Sequence, residues 1–577
     1  MASPKLSPGL LLALHDYESE GKKGLTPHMR VLGVNPKTRS KKPAKAVVFI
    51  HCNKTAKLDH LEKHDAEVNQ DHGEVRTAYI PMDKLRDVAK DSKVKRLVSS
   101  RFLRPAMDVA PGKVKLPAFV KRTKLSGKNI IIGIVDTGID ANHAEFKGRI
   151  LKIWDQTLSG SGVTEGAYGR ELTGADMSKC RDTVGHGTHV AGIAAGGDKT
   201  FAGVAPAADL LIVKSDLQDA HIADGVRYIF RVASELNRPA VINLSLGGQF
   251  DAHDGSDSLS RIIDSQTGKG RIVCCAAGNA GNDNIHARVK VSAGSTQTIK
   301  FKVPSGATDF ALLNGWYGKD QSVEIAVRTP GGFVTPFQKV ITSGSPVTTS
   351  TAPDGTVTLV TAGPDPVNGD RHFEVRMQSN PIGGTVKGGT WQLQLRNAQS
   401  GDANVDVWAL DGEGGTEIVF TSNVEDARKI GSPGCALSAV TVAAFTTKVR
   451  WISSEGSPLT VGLSLGDISD FSSEGPLRND TRKPDVTAPG AMIASALSSA
   501  SSPKPGFKLS GPFLVEAGTS MATPFIAGMV ALLLERDPTL DPARVKSLLQ
   551  SNSRVPGKSA GTFHAKWGFG LIDATAL

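Results

Sequence analysis

NIIIGIVDTGID, residues 129–140, decides how the rest of the chain is read. Residues 129–135 form a nearly continuous β-branched run. That pattern predicts a strand buried on both faces in a parallel sheet, where alternation of apolar and polar positions is lost. Asp136 then stands at the strand's C-terminal end, where open α/β sheets place their sites. Working outward, GHGTHVAGIAAGG (185–197) predicts a short helix of small residues closed by Gly196 and Gly197. GTSMATPFIAGMVALLL (518–534) predicts a long apolar helix over 520–536, with Pro524 in its first turn and Asp537-Pro538 ending it. RIVCCAAGN (271–279) reads as an apolar strand running into a small-residue turn.

These segments carry a carboxylate (Asp136), an imidazole (His186) and a hydroxyl (Ser520). A serine hydroxyl is a weak nucleophile and needs a base, and the base needs a partner to fix its tautomer. On this reading Ser520 attacks a carbonyl, His186 takes and returns the proton, and Asp136 orients His186. Asn279 would point its side-chain amide at the oxyanion, with the Ser520 backbone N–H as the second donor. The nucleophile sits at a positive helix end, which favours negative charge nearby. Taken singly, each motif reads as a structural turn; their combination carries the chemistry. His189, Asp140 and Asp182 read as structural groups beside the triad.

The motifs DTGID, GHGTHVAGI, AAGN and GTSMATP, with KPDVTAPG (483–490) and NLSLGG (243–248), resemble the subtilisin-like serine proteases. The resemblance covers roughly residues 111–283 and 432–577. It implies a three-layer α/β fold built on a parallel sheet and peptide-bond hydrolysis through an acyl-enzyme. Ser245, Leu246 and Gly247 would pair with the substrate backbone as an added strand. Ala276, Ala277 and Gly278 would line the other wall. The chemistry requires no cofactor; structural calcium is common in the family, but no ligand set can be assigned. A Gly/Ser-rich strand edge common in the family is replaced here by SDLQDAHIADGV (215–226).

The chain has 577 residues and a formal charge of +10, unevenly placed. Residues 1–125 hold 26 Lys+Arg against 13 Asp+Glu; the remainder holds 41 against 44. The basic part shows no nucleic-acid module, so no nucleic-acid partner is expected. No apolar run approaches membrane-spanning length, so no membrane partner is expected either. The PGLLLAL stretch near the start makes a poor signal peptide, and the expected location is cytoplasmic unless export follows an unrecognised route. Five cysteines, two of them adjacent (Cys274, Cys275), read as reduced buried thiols rather than a disulfide framework. His51, His60, His64 and His72 with Cys52 do not close a metal-ligand set.

Residues 1–43 are Pro-, Gly- and Lys-rich and read as a flexible basic segment. Residues 44–110 show a βαβαβ pattern: VVFIHC, LDHLEKHDAEV, EVRTAYI, MDKLRDVAKD and VKRLVSS. Just upstream of such a catalytic domain (111–283 and 432–577), this α+β unit resembles the family's inhibitory propeptide. Its tail, within residues 101–124, would be an exposed and cleavable linker. Residues 284–431 change texture to short alternating Thr/Val/Gly-rich runs and read as an inserted all-β sandwich, jelly-roll-like. The expected function is a serine endopeptidase acting on protein or peptide substrates. It is made as a self-inhibited zymogen with its own propeptide as intramolecular inhibitor. The alternatives are an uncleaved, propeptide-blocked binding or regulatory module and an esterase.

Overall fold

A computed structural model describes residues 5–28, 34–35, 44–100, 104–105, 112–198, 200–306, 310–341, 345–381, 383–410 and 418–577. Residues 1–4, 29–33 and 36–43 of the expected flexible segment 1–43, and residues 101–103 and 106–111 of the expected linker, lie outside the described residues. The chain divides into two compact units. The first holds Met1–Phe102, Gln249–Ala252 and Asp283–Asp426; the second holds Leu103–Gly248, His253–Asn282 and Ala427–Leu577.

The second unit is built on a ten-stranded sheet. Its parallel part runs in the order Val486–Ala491, Val440–Thr446, Arg271–Ala276, Ala240–Leu244, Ile131–Asp136, Asp209–Lys214, Ile150–Asp155. The strand Ile131–Asp136 shows why its sequence lacks alternation. Ile130, Ile132 and Ile134 join the core shared with helices His186–Ala195 and Thr519–Arg536. Gly133 and Val135 face helix Asp219–Glu235 instead: a Cβ on Gly133 would lie 2.6 Å from Ile229. Both strand faces are covered by helices, which makes the unit a three-layer α/β fold. Val226, Ile229, Phe230 and Ala233 of helix Asp219–Glu235 are buried.

Helix Thr519–Arg536 starts one residue before the expected position and is buried from Thr519 to Leu534. Pro524 is therefore its sixth residue and lies in the second turn, not the first.

In the first unit an antiparallel sheet centres on strand Lys45–Cys52, between Val75–Pro81 and Val94–Ser99. The segment expected to form its first helix is a 3-10 turn, Asp59–His64, ended by Asp65 in the left-handed region at φ 54°. The expectation of a flexible segment over 1–43 is corrected for residues 8–20, which form helix Pro8–Glu20 with Pro8 to Leu14 buried. The helix packs on Val94–Ser99 and on strands Val347–Ala352, Gly355–Val360 and Arg371–Gln378. Burial of Leu10, Leu11 and Leu14 supplies the stabilisation that composition hid.

Residues 286–420 form two antiparallel sheets of six and five strands around a shared core that includes Phe301, Phe373, Trp391 and Leu393. Strand Phe310–Tyr317 was not anticipated, because it is buried along its whole length. Phe310, Leu312 and Trp316 face the N-terminal core; Ala311, Leu313 and Tyr317 face the sandwich core. All five cysteines are buried free thiols. Among the described residues no helix is long and apolar enough to cross a membrane.

Candidate active site

Asp136 ends its strand, and His186 opens helix His186–Ala195. The two meet as a buried pair: His186 Nδ1 lies 2.7 Å from Asp136 Oδ1, and each is 1% exposed. Thr137 N also donates to Asp136 Oδ1, at 2.7 Å. A carboxylate accepting at Nδ1 fixes the proton there, so Nε2 is the basic nitrogen of the neutral ring. The approach of the two elements requires Gly187. A Cβ there would lie 2.2 Å from the Gly138 carbonyl oxygen and 3.1 Å from Asp136 Cβ.

Asp182, expected to be structural, ties the two loops together. Its Oδ1 accepts from Thr137 Oγ1 at 2.8 Å and Gly185 N at 2.8 Å. Its Oδ2 accepts from Thr188 N at 2.8 Å and Thr188 Oγ1 at 2.6 Å. Gly187 N donates back to Thr137 Oγ1 at 3.0 Å. This buried network fixes the His186 helix against the Asp136 strand end. Asp140 takes a similar role further out, accepting from Asn142 N and Ser499 N.

Ser520 is the second residue of its helix, in the turn whose N–H groups have no intrahelical acceptor. Its Oγ donates to the Ser245 carbonyl oxygen at 2.8 Å. The Ser245 hydroxyl donates in return to the Ser520 carbonyl oxygen at 2.6 Å, and accepts from Asn243 Nδ2 at 2.9 Å. An α-helical carbonyl normally accepts from the N–H four residues on. For Ser520 that residue is Pro524, which has none. The Ser245 hydroxyl fills the gap.

Asn279 sits beside the same turn. Its Oδ1 accepts from Thr519 N and Thr519 Oγ1, both at 2.9 Å. With the oxygen held, the amide NH2 is the free end, and the described residues give it no partner. Gly278, at φ +103°, donates to Thr519 Oγ1 at 3.2 Å. Ala276 ends strand Arg271–Ala276, and Ala277 N donates to Val442 O at 3.0 Å. On the other side, Leu246–Gly247 forms a two-residue strand pairing antiparallel with Arg104–Pro105. The structure thus gathers Asp136 with His186, and Ser520 with Ser245, Thr519 and Asn279.

Glu516, four residues before Ser520, was missed from sequence. Burial pushes its carboxyl up to about 8; the nearby His186 opposes this and Asp182 adds to it. His189 Nδ1 lies 3.8 Å from Glu516 Oε2, and burial holds the His189 ring down at about 3. Nothing in the sequence signals this, because both groups are set by how strand Phe513–Glu516 packs. Thr137 and Thr519 were visible inside the DTGID and GTSMATP motifs, but their hydrogen bonds were not.

Residues 127–308 and 345–570 match the profile of the subtilase family, peptidase S8. The Major intracellular serine protease of Bacillus subtilis (strain 168) is 34% identical over 166 residues, 27% of this chain and 45% of that one. Subtilisin-like protease SBT1.4 of Arabidopsis thaliana is 25% identical over 518 residues, 76% of this chain and 60% of that one. The chain thus spans about half the length of the curated relatives it matches. The solved structure of the Clostridium perfringens CspB protease is similar in fold, with TM-score 0.67 and 23% identity over 80% of this chain and 94% of that one. With the family profile spanning most of the chain, and with Asp136 at the end of a parallel strand and His186 and Ser520 at the starts of two helices packed on that sheet, the protein is a member of the subtilase family.

Proposed function

We propose that the protein is a serine endopeptidase acting through an acyl-enzyme on Ser520. The observation that carries this reading is the buried 2.7 Å contact between Asp136 and His186 in a subtilase fold. The Ser520 hydroxyl turns from the Ser245 carbonyl to His186 Nε2 and attacks the scissile carbonyl carbon. His186 passes the proton to the leaving amine, while Asp136 stabilises the imidazolium. The Asn279 amide and the Ser520 N–H receive the oxyanion. Substrate lies extended along Ser245, Leu246 and Gly247 on one side and Ala276, Ala277 and Gly278 on the other.

The protein is made as a zymogen in this reading, with residues 44–110 as propeptide and self-cleavage within 101–124. Support comes from Arg104–Pro105, which already occupies the edge of Leu246–Gly247 as an added strand. The same pairing also suits an uncleaved, permanently blocked binding module. A fluorophosphonate probe separates the two readings. It should label the wild-type chain and leave Ser520→Ala unlabelled. Equal labelling of both would remove Ser520 as nucleophile, and no labelling of either, with the chain intact, would favour the binding module.

A further inference from the structure

Asn279 stands close to a break in its own unit. The chain leaves the second unit after Asn282 and re-enters it at Ala427. The unit's own chain does not continue past the turn 278–281, so lateral bonds must fix that turn. Ser473 N donates to the Gly278 carbonyl at 2.9 Å, and Gly281 N donates to the Phe471 carbonyl at 2.8 Å. Ala280 N donates to Ser473 Oγ at 3.1 Å. The fit is close: a Cβ on Gly281 would lie 2.3 Å from the Ser472 carbonyl oxygen and 2.4 Å from that of Asp470. Lys429 closes the arrangement. Its backbone N donates to the Glu474 carbonyl at 2.9 Å, and its Nζ donates to the Gly281 carbonyl at 2.7 Å. Lys429 is 0% exposed. Burying a lysine head group is costly, and a short charge-assisted bond to a carbonyl offsets part of that cost. The returning segment is thereby strapped to the turn that carries Asn279.

We propose that Lys429 is a positioning residue for oxyanion binding: by fastening the Gly281 carbonyl it holds the turn 278–281 so that the Asn279 amide meets the oxyanion. This rests on the serine endopeptidase reading above. Two anchors then set the direction of the Asn279 side chain. Its Oδ1 is held by Thr519 N and Thr519 Oγ1. Its backbone is held by the turn, and the turn by Ser473 and Lys429. An oxyanion donor accelerates the reaction only when it is already aimed at the place where charge develops. Without Lys429 Nζ the Gly281 carbonyl loses this donor and the turn is freer to shift. The bound ground state makes less use of the Asn279 amide than the transition state does, so the loss falls on the rate and not on binding. Lys429 acts on the reaction through Asn279.

The test is fluorophosphonate labelling of the full-length chain at rising probe concentration, read as a limiting rate and a half-saturation concentration. Lys429→Met should lower the limiting rate about tenfold or more and leave half-saturation unchanged. Asn279→Ala should itself slow labelling. Adding Lys429→Met to it should then cost less than about twofold, because the group that Lys429 positions is gone. Losses that multiply in the double variant would show that Lys429 acts elsewhere and overturn the proposal. So would an unchanged limiting rate in Lys429→Met while Asn279→Ala is slowed. An Asn279→Ala chain that labels at the wild-type rate removes Asn279 from the oxyanion site, and the proposal with it, while leaving Ser520 as nucleophile. A wild-type chain that is never labelled overturns the endopeptidase reading itself. Circular dichroism checks the fold of each variant. Should Lys429→Met not fold, Lys429→Gln takes its place in the cycle; if neither folds, Lys429 serves the fold and not the positioning of Asn279, and the proposal falls.

Discussion

At the scale of single residues, a missing backbone hydrogen at Pro524 is coupled to the hydroxyl of Ser245. Pro524 removes the donor that would close the helix over Ser520, and the Ser245 hydroxyl takes its place at 2.6 Å. Removing that hydroxyl takes away a buried hydrogen bond to the Ser520 carbonyl, at a cost of about 0.5–1.5 kcal/mol. Ser245→Ala should therefore slow fluorophosphonate labelling by up to about tenfold. Pro524→Ala restores the backbone donor, so the double variant should regain most of the loss. Labelling rates for the two single variants and the double variant complete the cycle. Purely additive losses would show that Ser245 acts in some other way. The motif GTSMATP places a proline four residues after the serine. Only the register of the helix, starting at Thr519, sets that proline where the Ser520 carbonyl would look for its backbone donor. The family's motifs and their order were therefore legible in the sequence, but the hydrogen bonds made around Asp136, His186 and Ser520 were not. Those bonds join segments such as Asp182 to Thr137, or Ser245 to Ser520, whose proximity is a property of the packed sheet.

At the scale of elements, legibility followed burial geometry. Strands covered by helices on both faces, such as Ile131–Asp136, announced themselves as unbroken apolar runs. Phe310–Tyr317 is equally apolar but sits in an antiparallel sheet, where alternation is the usual signal, and so it was passed over. Helix Pro8–Glu20 was hidden because its apolar stretch is short and its second half is charged. Part of that charged half has a partner far along the chain. Asp16 pairs with both Arg376 and His28. Burial alone would raise the Asp16 carboxyl, but His28 and Arg376 overcome it and hold it at about 2. A carboxyl depressed in the fold stabilises above its ordinary value near 3.8, and that contribution is lost as pH falls through about 2. Breaking a buried pair from one side costs about 3–5 kcal/mol. In Arg376→Ala, amide hydrogen exchange along residues 8–20 should accelerate on the order of a hundredfold at neutral pH. The difference from wild type should shrink as pH is lowered from 4 to 2. Unchanged protection would mean the ion pair contributes nothing to holding the helix.

At the scale of the whole molecule, two buried groups near the triad shape the pH range over which the catalytic unit stays folded. Across pH 4.5–6.5 the folded state keeps His189 unprotonated and Glu516 protonated, whereas the unfolded chain carries the reverse. Each state then binds one proton between the two groups, and this pair gives stability no slope. Above pH 6.5 the unfolded chain has released both protons while the fold still holds the one on Glu516. Stability falls until about pH 8, at up to about 1.4 kcal/mol per pH unit. Below pH 4.5 the unfolded chain binds both protons while folded His189 still binds none, and stability falls toward pH 3. The groups facing Glu516 are His189, His186 and Asp182, so its burial rather than a single partner sets the effect. Glu516→Gln removes one side of this balance. Measured in a Ser520→Ala background to prevent self-digestion, its thermal midpoint should gain on the parent steadily as pH rises from 4.5 to 8, and hold that gain beyond. Parallel curves for the two proteins would place the Glu516 carboxyl in its ordinary range and detach it from the electrostatics of His186.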